Sequence, residues 1–197
     1  MMETRNKFEK VFRCDLQEIS DMLNSCMDYV EQSRVLTNDL TEDVRSRFKW
    51  VMTELLTNAI KHSGVPECAV LIVNDQKKLV LEKADKGLPL AIKLENGGKK
   101  VSWPLESITP PVEFEIYQNG IESLRLSAPS TTRAVFSVEE MESSGNPMIS
   151  ELTTEHFGLL ILTKASDAFE YEYESQTGTN TFRCIFNLKP DGNEASV

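Results

Sequence analysis

Histidine is almost absent from this chain, with two residues in 197. Four cysteines (Cys14, Cys26, Cys68 and Cys184) stand far apart and form no C-x-x-C pair, so zinc lacks ligands at workable spacing. The same scatter points away from a disulfide framework and towards reduced, mostly buried thiols. Basic side chains are outnumbered, 21 Lys and Arg against 31 Asp and Glu, for a formal net charge of −10. A surface of that sign does not hold nucleic acid non-specifically. It can still hold a nucleotide, because Mg2+ and backbone amides meet phosphates locally. No apolar run approaches the roughly 20 residues of a membrane span, and the opening "MMETRNKFEKVFRCDLQE" is too charged for a secretory signal. These absences lead to the expectation of a cytoplasmic protein that binds neither nucleic acid nor membrane. What remains is ordinary for a globular chain: 40% hydrophobic and 26% charged residues, with length enough for one sizeable core.

Periodicity then divides the chain. Leu16, Ile19, Met22, Leu23, Cys26, Met27 and Val30 recur every three or four positions, which predicts an amphipathic helix over 15–33 opened by Asp15. Thr41 is placed to cap a second helix, about 42–63, with Glu42 and Asp43 in its first turn. Phe48, Val51, Met52, Leu55, Leu56, Ala59 and Ile60 make its apolar stripe. Residues 6–14 read as a first strand, and "ECAVLIVND" with "KKLVLEKAD" as an antiparallel hairpin. "VEFEIYQNGIESLRLS" reads as another hairpin, turning at Asn119-Gly120. The stretch 95–112 is loop-like and 143–147 a further break. Residues 154–166 predict a short buried helix, and the chain closes with two strands around Thr177-Gly178-Thr179. Together these elements predict an α+β two-layer sandwich, helices packed on one mixed, mainly antiparallel β-sheet. It forms one domain over 1–188, with an insertion or lid at about 95–150 and a tail at 189–197.

Three short stretches carry chemistry. In "TELLTNAIKHSG" (53–64), Glu54, Asn58, Lys61 and His62 cluster beside the apolar stripe, at about 100° per residue. A carboxylate there can orient or deprotonate an attacking oxygen, and an amide oxygen one turn later suits Mg2+, which takes few protein ligands. "DKGLP" places Asp85-x-Gly87-x-Pro89 directly after a strand. A buried aspartate accepts well from an exocyclic amine such as that of adenine, and a glycine lets a base approach the backbone. "TGTNTF" offers the Thr179 hydroxyl from a neighbouring strand. Each stretch alone describes a solvated helix face or a plain turn. Their order along the chain gives them weight.

In that order the sequence resembles the GHKL ATPase superfamily, the gyrase and histidine-kinase type of nucleotide-binding domain. "FKWVMTELLTNAIKHSG" looks most like the anti-sigma-factor serine/threonine kinases. The resemblance covers roughly 10–94 and 154–188. It implies a histidine kinase-like ATPase fold with ATP and Mg2+ as cofactors. It also implies a sigma factor or an anti-anti-sigma antagonist as partner, and a homodimer as an option. By the same resemblance Glu54 is the catalytic base or water-orienting carboxylate, and Asn58 the Mg2+ ligand. Asp85 binds the adenine amine, Gly87 lines the base pocket, Thr179 adds a hydrogen bond, and Gly158 belongs to the helix start after the lid. The chain departs from the family at "TEHFGLLIL", where His156 stands in place of the first glycine. That substitution and the strand-like 95–150 segment frame the alternative expectation: a catalytically inactive binding module that sequesters a regulator.

Overall fold

The computed structural model describes residues 6–32, 40–74, 77–94, 99–118, 121–141 and 154–188. Strand β1 (Asn6–Arg13) runs through a 3-10 turn (Leu16–Glu18) into helix α1 (Ile19–Gln32), and α2 spans Glu42–His62. Both helix starts are capped as their sequences dictate. Asp15 accepts from the Gln17 N–H at 2.9 Å, and Thr41 Oγ1 accepts from the Val44 N–H at 3.2 Å. Strands β2 (Glu67–Asn74) and β3 (Lys78–Asp85) follow as a hairpin, then the short pair β4 (Ala91–Lys93) and β5 (Lys100–Ser102). Next come β6 (Val112–Gln118), β7 (Glu122–Ala128) and β8 (Arg133–Glu140), helix α3 (Thr154–Ala165), and β9 (Ala168–Glu174) with β10 (Thr179–Asn187).

Eight of these strands form one sheet in the order β1-β2-β3-β10-β9-β8-β7-β6. Side chains alternate across it with period two. Val70, Ile72, Leu81, Cys184, Phe186, Phe169, Tyr171 and Phe136 are buried, on the face that meets the helices. Phe48 of α2 lies 5.6 Å from Phe186, and Tyr29 of α1 lies 5.1 Å from Phe8, ring centre to ring centre. α3 rests against β8 and β9. The opposite face carries an ion-pair ladder across four strands: Glu82 to Arg183 at 2.6 Å, Arg183 to Glu170 at 3.9 Å, and Glu170 to Arg133 at 2.8 Å.

This architecture corrects the expected fold. Every described strand pairing is antiparallel, so the sheet is not mixed. With eight strands in the main sheet, two in a small one and three helices among the described residues, the molecule is sheet-dominated. It is not the helix-packed α+β sandwich, nor the histidine kinase-like ATPase fold, that the sequence suggests. The difference arises in 112–140. The alternating β6, β7 and β8 satisfy their backbone groups by continuing the ladder through β8 onto β9. The third strand of that set, β8, and the small β4–β5 pair have no counterpart in the expected elements. The Asn119-Gly120 turn and 143–147 lie outside the described residues. Among the described residues no helix is long and apolar enough to cross a membrane.

Candidate functional site

The site residues gather along the last three turns of α2. Glu54 and Asn58 are half-buried, while Lys61 and His62 point to solvent. α3 crosses α2 at Gly158, which is buried. A Cβ on Gly158 would lie 2.2 Å from Glu54 Oε1 and 3.4 Å from Asn58 Nδ2, so the bare glycine leaves the Glu54 carboxylate its place against α3. This contact joins residues about a hundred positions apart in sequence. The side chain of His156 lies outside the described residues.

α2 ends through Ser63, whose hydroxyl donates to the Ala59 carbonyl, and Gly64, at φ 68°. A left-handed residue just past the helix favours glycine and turns the chain towards β2. The Ser63 carbonyl then accepts the Leu88 N–H at 3.1 Å. A Cβ on Gly87 would fall 2.0 Å from that same Ser63 oxygen. Gly87 is therefore required by the helix end itself.

Asp85 closes the corner. It is 6% exposed and accepts three donors: Lys83 Nζ at 2.5 Å, the Gly87 N–H at 2.8 Å and Asn180 Nδ2 at 3.3 Å. Asn180 also donates to the Gly87 carbonyl at 3.0 Å and accepts the Tyr171 hydroxyl at 2.7 Å. Tyr171 in turn accepts the Leu90 N–H at 3.1 Å. Burial pushes the Tyr171 phenol well up, so it stays protonated. Lys83 Nζ lies 4.4 Å above the Phe182 ring, a cation–π contact that helps hold a buried ammonium. The antiparallel pairing of β3 with β10 sets Asn180 opposite Asp85, uniting segments 95 residues apart.

The structure thus brings Glu54, Asn58 and Gly158 together, and Asp85 and Gly87 together, with Ser63 linking the two groups. Asn58 and Ser63 are five residues apart, about 7.5 Å along the helix axis. Thr179 falls beside the corner without touching Asp85. It is half-buried, and its hydroxyl accepts from Thr177 at 2.8 Å. The next residue, Asn180, is the one that reaches Asp85. Sequence reasoning missed Asn180, Tyr171 and Lys83. Parity held a signal for Lys83, which shares the inward positions of Leu79, Leu81 and Asp85. Of the basic residues in 95–150, Lys99 and Lys100 are exposed. Arg133 is engaged by Glu170.

The donor chemistry fits the implied groups. An ionised carboxylate offers about four acceptor positions, and three of those on Asp85 are used, which leaves one acceptor position on a side chain 2% exposed. Glu54 and Asn58 present hard oxygens four residues apart. Among the described residues no three His, Cys, Asp or Glu side chains are grouped to hold an ion. A divalent cation here would take Asn58, with Glu54 at hand, and draw its other ligands from phosphate and water, as Mg2+ does. Neither a protein-family model nor a curated protein matches the chain.

Proposed function

We propose that this chain is a cytoplasmic, Mg-ATP-binding regulator of the anti-sigma-factor type, acting as a protein serine/threonine kinase on a protein partner that controls transcription. One observation carries the proposal: Glu54, Asn58 and Gly158 meet on the last turns of α2, and Asp85 and Gly87, from a distant segment, meet the end of the same helix at Ser63. Asp85 would accept the amine of the base, and Asn58 would supply an amide oxygen to Mg2+. The ion, when bound, would neutralise phosphate charge. Glu54 would orient or deprotonate the partner's serine hydroxyl.

Titration with ATP and ADP, with Mg2+ and with chelator, tests this. Binding should occur at millimolar nucleotide or below, and Asn58→Ala should abolish the Mg2+-dependent gain, about tenfold or more for a lost ligand to a charged ion. No binding by the unaltered protein at millimolar nucleotide rules out the kinase. The rival is a binding module that sequesters its partner without turnover. It is favoured by Lys83 already pairing with Asp85, and by Gly158 seated on Glu54. Nucleotide binding without phosphotransfer to any co-purified partner would select the module.

A further inference from the structure

Asp85 is held from behind by two side chains that form a directional chain of donors. Tyr171 is fully buried, its ring fixed by Phe182 at 5.0 Å and Trp103 at 6.3 Å. Its oxygen receives the Leu90 N–H, so its single proton goes to Asn180 Oδ1. An amide whose oxygen is committed to a donor must turn its NH2 the other way. In Asn180 that direction is Asp85 Oδ1 and the Gly87 carbonyl. Asp85 therefore meets only donors, and the position it has left is an acceptor.

We infer that Tyr171 is a positioning residue for base recognition: through the fixed amide of Asn180 it keeps Asp85 and the Gly87 loop set to accept an exocyclic amine N–H. This rests on the nucleotide-binding function proposed above and names residues that the sequence motifs do not. Without the Tyr171 hydroxyl, Asn180 Oδ1 is left buried without its donor, and the amide is held only through its NH2. It can then shift off Asp85 and the Gly87 carbonyl, which slackens the tie of the Gly87 loop to the sheet.

The test is the ratio of affinities for ATP and for purine-riboside triphosphate, which lacks only the 6-amino group. A hydrogen bond to a charged acceptor should make the unaltered protein prefer ATP by about tenfold or more. Tyr171→Phe should bring that ratio to within about threefold while changing the affinity for purine-riboside triphosphate by less than about threefold. A merely structural role would weaken both ligands equally, and that result, or an unchanged ratio, overturns the inference. Should Tyr171→Phe not fold, Asn180→Ser removes the amide, leaves the aromatic core intact, and is subject to the same ratio test. If the unaltered protein binds neither nucleotide, the nucleotide site itself is refuted, and this inference with it. If it binds with a ratio near one, only the inference falls.

Discussion

The two ends of the site are built on opposite plans. At the Asp85 end, Lys83, Asp85, Asn180 and Tyr171 are all buried and joined by hydrogen bonds into one network. At the Glu54 end, Glu54 and Asn58 are half-buried, and among the described residues neither side chain has a hydrogen-bond or ion-pair partner. The glycines differ in the same sense. Gly87 abuts backbone, the Ser63 carbonyl, whereas Gly158 abuts the far end of a flexible side chain, the Glu54 carboxylate. A polar group fixed by several partners arrives pre-organised, at the cost of burying charge. A group fixed by none can adjust to a ligand. On the function proposed above, recognition would fall to the rigid end and metal and proton handling to the adjustable end.

Breaking the rigid end should have the largest effect. Asp85→Asn keeps the shape and leaves the Lys83 ammonium buried and unpaired, its side chain 4% exposed. Removing one partner of a buried pair costs about 3–5 kcal/mol. That is a large share of the roughly 5–15 kcal/mol that holds a domain together. Urea denaturation measures it. Adding Lys83→Met to Asp85→Asn should recover more than half the loss, because the stranded charge is then gone. A loss below about 1 kcal/mol for the single variant would mean that the pair is not buried as described.

Gly87→Ala comes next. No unusual φ accompanies Gly87, so the cost is steric rather than conformational. A Cβ 2.0 Å from the Ser63 oxygen must push the loop off the helix end and strain the Leu88 N–H bond to that same oxygen. Overpacking of this kind costs about 1–3 kcal/mol. Thermal and urea unfolding should both show it. An unchanged midpoint would place the loop away from α2 and dissolve the link between the two ends.

How much of this was legible in the sequence follows from which signals are local. Caps and periodicity are local, so Asp15, Thr41 and the stripe from Phe48 to Ile60 marked their helices within one residue or a few. The β2–β3 hairpin was readable for the same reason. Pairing between distant strands is not local. Nothing in "RAVFSVEE" announces that β8 will bond to β9, and so 95–150 reads as an insertion or lid without revealing that 112–140 continues the sheet. The site divides the same way. Glu54, Asn58, Asp85 and Gly87 sit in recognisable short patterns. Asn180 matters only because β10 lies beside β3, and Tyr171 only because β9 lies beside β10. Thr179 is one residue from Asn180, the side chain that reaches Asp85.

Gly158→Ala should have the smallest effect on stability and is the sharpest probe of the contrast. Two contributions oppose each other. Alanine within a helix is favoured over glycine by about 1 kcal/mol, and Gly158 lies inside α3, not at its end. Against that, the new methyl would meet Glu54 Oε1 at 2.2 Å. The carboxylate sits on a flexible side chain without a partner among the described residues, so it can swing aside at little cost. Net stability should therefore shift by less than about 1 kcal/mol in either direction. Function should respond differently. A displaced Glu54 no longer stands beside Asn58, so phosphotransfer should fall while nucleotide affinity measured with chelator stays the same, since the Asp85 corner is untouched. If Gly158→Ala instead destabilises the protein as much as Gly87→Ala does, the helix crossing is as rigid as the Asp85 corner. The division into a fixed and an adjustable end then fails.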